Sequence, residues 1–256
     1  MPVNIKTPAE IDSMRRGGKI LGEILLALAS ETRPGISTLD LEQKAQELYK
    51  KYSVAPSFKG YHGYPAILCT SVNNEVVHAI PDKKILNPGD ILSIDAGVFF
   101  EGFHTDSAIA IIVGDQTKLE IKKFVNTCIA AMWNGIHQVK PGNRIHDISA
   151  AIEETVESAG YSIIPDLTGH GIGRSLHEEP FVPNFTAHDQ GPVLQPGMTI
   201  AIEPIISMGS PNIETLDDGW TIVTKDNSLA IQHEHTVLVT ETGVEILTLR
   251  PGEQTF

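Results

Sequence analysis

The chain has 256 residues, 41% apolar and 20% charged, which suits one globular domain with a substantial core and excludes a disordered or collagen-like chain. A formal net charge of −13 argues against direct nucleic-acid binding, which relies on clustered Lys and Arg to neutralise phosphates. No run reaches the roughly 18 unbroken apolar residues of a membrane span, the N-terminus lacks a signal-peptide core, and Cys69 and Cys128 are far apart and outside any Cys-x-x-Cys pattern; a cytoplasmic protein in a reducing compartment is expected.

Thr7, Pro8 and Glu10 form a helix start, with a capping Thr, a Pro at the first helical position and a Glu at the third, followed by apolar residues at helical spacing through Leu28. Ser37 to Asp40 and Thr117 to Glu120 open two further helices in the same way. A fourth runs from Ile145 to Ala159 and stops at Gly160. Between and after them lie runs of strand character bounded by Gly, Pro and Asp, at residues 90–100, 107–114, 198–206 and 235–247. Helices precede strands twice, which predicts an α+β fold with helices over one face of a mainly antiparallel sheet.

This order reflects an internal repeat. Pro34, Gly35 and Asp40 match Pro141, Gly142 and Asp147 at an offset of 107, and NPGDILSID from Asn87 matches QPGMTIAIE from Gln195 at an offset of 108. His78 and His177 share a His-x-x-Pro context. One domain, 1–256, is expected, with duplicated halves at about 1–113 and 114–256; a repeat this long is a doubled half-domain and no solenoid.

The repeat places a carboxylate at the same strand position in each half, Asp95 and Glu203. Asp106 follows eleven residues after Asp95, across a hairpin turning near Glu101, and Glu234 stands in the last strand pair. Acids in runs this apolar need partners. Four carboxylates balance two divalent cations, and two-metal hydrolytic sites hold their ions roughly 3.5 to 4 Å apart. The segment GHGIGRSLHEEP, Gly169 to Pro180, lacks the Gly-Lys-Ser/Thr ending of a phosphate loop and leads into no helix. Its glycines let backbone pass close to a crowded centre, with His170 presented as a ligand and His177 aimed at a substrate.

Taken in order, SVNNEVVHAIP, SIDAGVFFEGFHTD, GHGIGRSLHEEP, AIEPII and QHEHTVLVT resemble the type I methionine aminopeptidases, over essentially the whole chain. The resemblance implies the pita-bread fold, a duplicated and curved antiparallel sheet with outer helices and a dinuclear metal site on the pseudo-twofold axis. It implies Asp95, Asp106, His170, Glu203 and Glu234 as metal ligands, Asp106 and Glu234 bridging two divalent ions drawn from Mn, Fe, Co or Zn. It gives Glu203 the further role of proton shuttle, sets His78 and His177 against the scissile peptide, and lines a methionine pocket with Phe58, Tyr61, His62, Tyr64, Cys69, Leu176 and Trp220. Leu167, Leu176, Phe58 and Phe185 differ from the family's commonest occupants, while every ligand position holds the expected type.

The expected activity is removal of N-terminal methionine from nascent chains by a monomer, with a small second residue favoured and the ribosome as a candidate partner. Two alternatives share the fold: a prolidase or aminopeptidase P, which carries an added N-terminal domain where this chain starts its first helix near Thr7, and a binding protein that has lost its ligands. The helical insertion of type II methionine enzymes has no room between Pro180 and Pro196.

Overall fold

The structure, a computed structural model, describes residues 3–115 and 118–255. Helix α1 (Pro8–Glu31) begins in a capping box: the Thr7 hydroxyl accepts the Glu10 amide, and the Glu10 carboxylate accepts the Thr7 amide at 2.7 Å. Ser37 and Asp40 repeat the device for α2 (Thr38–Tyr52). The expected start of the third helix at Thr117 lies outside the described residues; α3 covers Leu119–Ile136. Helix α4 (Ile145–Ser158) ends where Gly160 turns to φ 84°.

Strands β1 (Leu68–Val72), β2 (Ile91–Phe100) and β3 (Phe103–Ile112) form an antiparallel sheet with β2 in the middle. Glu101 and Gly102, both at positive φ, make the two-residue loop between β2 and β3, as the twist of a tight hairpin requires. The second of these strands therefore starts at Phe103, four residues before the Ser107 expected from pattern, and carries Asp106 inside the ladder.

The later strands are β4 (Gly169–Gly171), β5 (Glu178–Val182), β6 (Thr199–Ile202), β7 (Ile205–Ser207), β8 (Ala230–Gln232), β9 (His235–Val239) and β10 (Val244–Ile246). Five of them make an antiparallel sheet in the order β10-β9-β6-β4-β5. The run 198–206, expected as one strand, is two. Pro204 has no N–H to give to a ladder, so β6 stops before it and β7 pairs with β8 in a separate sheet. The run 235–247 is likewise a hairpin, β9 and β10, closed by a turn at Thr240–Gly243.

Each sheet has its own helical cover. Leu21, Leu25, Leu41 and Leu48 of α1 and α2 cluster with Leu92, Ile94, Ala96 and Val98 of β2. Phe124, Trp133, Ile148 and Ile152 of α3 and α4 cluster with Ile200, Ile202, Val237 and Val239. The matched Pro-Gly turns agree bond for bond. Gly35 N donates to the Leu86 carbonyl at 2.8 Å as Gly142 N does to Leu194 at 3.2 Å, and Gly89 N reaches Val113 at 2.8 Å as Gly197 N reaches Val239 at 2.9 Å. All four glycines lie at φ 90–92°, a region closed to most side chains.

The two sheets meet along β3 and β9. The Thr236 hydroxyl donates to the Asp106 carbonyl at 2.7 Å and accepts its amide at 3.0 Å, and the Ser107 hydroxyl donates to the Glu234 carbonyl at 2.7 Å. Glu234 N reaches the Ala108 carbonyl at 3.0 Å.

Helix α1 seats on this frame through Gly18, where a Cβ would lie 2.8 Å from the Leu247 carbonyl carbon. In a free helix Gly→Ala stabilises by about 1 kcal/mol; here overpacking against backbone should reverse the sign. Gly18→Ala is expected to destabilise by about 1–3 kcal/mol, whereas Gly243→Ala, with no heavy atom within 4 Å of the new Cβ, should be nearly neutral. Thermal denaturation of the two variants checks this, and an unchanged or raised Tm for Gly18→Ala would refute the contact.

Candidate metal centre

Asp95 lies in β2, Asp106 in β3 and His170 in β4; Glu203 sits at the break before Pro204, and Glu234 immediately precedes β9. None of the five is more than 7% exposed. A Cβ at Gly169 would collide with the Ala201 carbonyl and one at Gly171 with the Glu179 carbonyl, so the crowding of β4 between its neighbours leaves only glycine on either side of His170.

Ligand-type atoms of Asp106, His170 and Glu234 lie within 4.8 Å of one another. Glu203 Oε1 is 3.6 Å from His170 Nε2, and the Asp95 carboxyl is beside Asp106 and Gln232. His170 Nδ1 is 2.9 Å from the Gly171 carbonyl. A carbonyl can only accept, so Nδ1 holds the proton and the Nε2 lone pair faces the acids, as a metal-ligating imidazole needs. Gln232 Nε2 donates to Glu203 Oε2 at 3.0 Å and to Glu234 Oε2 at 3.5 Å.

This arrangement is electrostatically unfinished. Burial raises Asp95 to about 7 and pushes Asp106, Glu203 and Glu234 well above the carboxylate range, with mutual repulsion adding to each of the last three. Asp95 Oδ1, Asp106 Oδ1 and Glu234 Oε1 are buried without a hydrogen-bond partner. Buried, unpaired carboxylate oxygens are costly. Divalent cations would remove both defects, and hard oxygens with one imidazole suit them.

Above the acids opens a cavity of about 380 Å³ with Phe58, Tyr64, Cys69, Leu176 and Trp220 in its wall. Tyr64 turns its hydroxyl away to the Leu68 carbonyl at 2.8 Å and presents its ring edge-on to Trp220. His177 stands at the mouth. Its Nδ1 is 2.7 Å from the Tyr61 hydroxyl and its ring centroid 4.3 Å from that of His170. Loss of water around the ring, then the neighbouring His78, His62 and His104, lowers it to about 4. His78, at φ 59°, also lines the cavity, and burial lowers its pKa.

His62 differs from the other expected pocket residues: it is exposed, outside the cavity wall, edge-on to Tyr61 at 4.4 Å. Gln232, Asp166 and Phe181 are among the wall residues that the sequence reading did not single out. For Gln232 a signal existed, since a residue two before Glu234 in extended chain faces the same way.

The raised carboxyl pKa values fix the sign of two pH effects. Without metal the folded protein holds protons on these acids that the unfolded chain releases near pH 4, so their contribution to stability is fully present below that and is lost as pH rises through their raised values. Metal must displace those protons, so Mn²⁺ or Co²⁺ affinity should tighten between pH 6 and 8, with proton release visible by titration calorimetry in buffers of different ionisation enthalpy. At 100 times Kd the metal should raise Tm by about 5–10 °C, and Glu234→Gln should remove most of that rise. A metal-independent Tm would contradict the reading of these acids as ligands.

The profile of metallopeptidase family M24 matches residues 12–241. The chain is 47% identical over 245 residues to a methionine aminopeptidase of Clostridium perfringens, covering 96% of this chain and 98% of that protein. It superposes on a methionine aminopeptidase structure from Thermotoga maritima with a TM-score of 0.94 at 44% identity, covering 96% and 99% of the two chains. A prolidase structure from Pyrococcus furiosus shares the fold at a TM-score of 0.78, but at 22% identity and over 65% of its length. Profile, full-length identity and superposition agree with the buried acid-histidine constellation: the chain belongs to metallopeptidase family M24.

Proposed function

We propose that the chain removes the N-terminal methionine from peptides and nascent proteins, using two divalent ions among Mn, Fe, Co and Zn held by Asp95, Asp106, His170, Glu203 and Glu234. The observation that carries this reading is the set of three partnerless carboxylate oxygens below an apolar, sulfur-containing cavity. When bound, the ions supply Lewis acidity, which makes water nucleophilic at neutral pH and polarises a carbonyl.

The chain's own groups do the rest. Glu203, anchored at Oε2 by Gln232, can as a carboxylate accept a proton from water and return it to the leaving amine. With Nδ1 of His177 engaged by Tyr61, its Nε2 is free to donate towards the scissile carbonyl oxygen as negative charge grows there. His78, close enough to His177 to repel its charge, lines the same cavity and is assigned to the same peptide group. Phe58, Tyr61, Tyr64, Cys69, Leu176 and Trp220, with His62 at the rim, suit a flexible, polarisable methionine side chain. The substrate's free amine belongs at the acid-lined end, which makes the enzyme an exopeptidase.

The same reading extends to a cytoplasmic monomer, with the ribosome as a candidate partner; two buried cysteines without a disulfide, as a reducing compartment allows, support the compartment.

Hydrolysis of Met-Ala-Ser with Mn²⁺ or Co²⁺ should exceed that of Ala-Ala-Ser or an Xaa-Pro peptide by a factor on the order of 100. A preference for Xaa-Pro would favour the prolidase reading, and no turnover a binding protein. Glu203→Ala should abolish turnover. His177→Ala should lower kcat by about 10²–10³ with metal content unchanged, as measured by elemental analysis beside the peptide assay.

A further inference from the structure

Lys6 is an unusual residue for an N-terminal segment. Its side chain is 4% exposed, and its Nζ lies 2.7 Å from Oε2 of Glu178, itself 5% exposed at the side chain and separated from it by most of the chain. Among the described residues the ammonium also reaches the Asn4 carbonyl at 3.3 Å. The backbone on the lysine side is fixed as well, since Lys6 N donates to the Gly197 carbonyl at 2.9 Å. A long, costly side chain has been buried to reach one carboxylate.

That carboxylate belongs to the residue after His177. Its other oxygen, Oε1, accepts the Ser175 amide at 3.1 Å, so Glu178 ties the start of the Gly173–His177 loop to its end. The lysine stem crosses this loop at Gly173, where a Cβ would collide with Lys6 Cε. The third glycine of the GHGIG run is thereby accounted for: it makes room for the lysine. Outer contacts hold the loop too, the Arg174 guanidinium to Glu10 and the Gly173 carbonyl to His104 N at 2.7 Å. On the inner side Leu176 is buried among the residues of the cavity.

We propose that Lys6 is a positioning residue for His177, acting through Glu178. The inference rests on the reading of His177 as the donor to the scissile carbonyl. Lys6 touches neither substrate nor metal-binding side chains. With the ammonium absent, Glu178 is a buried carboxylate without its cation and must turn towards solvent or towards the imidazoles beside it, taking His177 out of register with Tyr61 and the cavity. A displacement of about 1 Å at a catalytic group is enough to cost up to 10²-fold in rate.

The test is a double-mutant cycle on the full-length, Mn²⁺-loaded protein, well below its Tm, with Met-Ala-Ser as substrate. Lys6→Met should lower kcat on the order of 10–100-fold, leave metal content unchanged, and raise amide hydrogen exchange over residues 172–179 above that of the other segments. Lys6→Arg should restore most of kcat. On a His177→Ala background, Lys6→Met should have little further effect, because the group it positions is gone. An unchanged kcat for Lys6→Met, or a loss that adds in full to that of His177→Ala, overturns the proposal. If His177→Ala itself keeps wild-type kcat, the donor role assigned to His177 fails instead. Should Lys6→Met not fold, Glu178→Gln breaks the same ion pair from the other side while keeping an acceptor for the Ser175 amide, and the same outcomes decide.

Discussion

Four carboxylates packed with an imidazole beneath a small cavity repel one another, and three of their oxygens lack hydrogen-bond partners; the rest of the molecule is arranged to hold them there. The backbone carrying them is fully engaged: Thr236 brackets Asp106, Ser107 grips the Glu234 carbonyl, and Glu234 N is spent on Ala108. Strain is thus confined to side-chain oxygens while the strands stay locked. A local conflict of this kind, in a fold otherwise consistent from caps to core, marks a place where binding completes the structure.

The repeat delivers these groups unequally. The pairing Asp95↔Ala108 between β2 and β3 corresponds to the meeting of Glu203 with Glu234 just beyond Ile202↔His235. Val113 and Val239 mark equivalent strand ends, so Gln232 holds the place of Asp106, and Glu234 the place of Ala108. The second half therefore substitutes a neutral amide for one acid and moves the other acid two residues along the same face. The result is asymmetric: Gln232 is a fixed donor to Glu203 and Glu234, whereas Asp106 is a donor only when protonated. The amide holds the two acids of its own half in place, including the one assigned to proton transfer.

Features that depend on near neighbours in sequence were readable from it. Thr7-Pro8-Glu10 and Ser37-Asp40 define helix starts because a cap is a three-residue device, and the Pro-Gly turns recur because each demands positive φ. The correspondence of Asp95 with Glu203 was readable for the same reason. Asp106 and Glu234 were not paired by the repeat, since β7, β8 and the hairpin of Ile213–Thr215 with Ile222–Thr224 between them intervene in the second half and shift the register from 108 to 126 residues. Their joint role came from family resemblance. β4 was invisible as a strand, because Gly-His-Gly has no strand propensity of its own; crowding by β5 and β6 imposes the conformation. The division of 198–206 could have been read from Pro204, but long-range pairing of β7 with β8 could not.

The glycine run that contains His170 also shows why a motif must be judged by what its amides do. A phosphate cradle needs several N–H groups converging on free space, usually at a helix start. Here Ile172 N is bonded to the Thr199 carbonyl and Gly173 N to that of Ser175, and the chain continues into a sheet. Each glycine instead admits a different neighbour: Gly169 the Ala201 carbonyl, Gly171 the Glu179 carbonyl, Gly173 the stem of Lys6. What looks like one flexible motif is three separate steric requirements, two set by the sheet that carries His170 and one by the Lys6 side chain that crosses the loop before His177. Flexibility is the wrong property to assign to it; the glycines are there because the space around His170 and His177 is already filled.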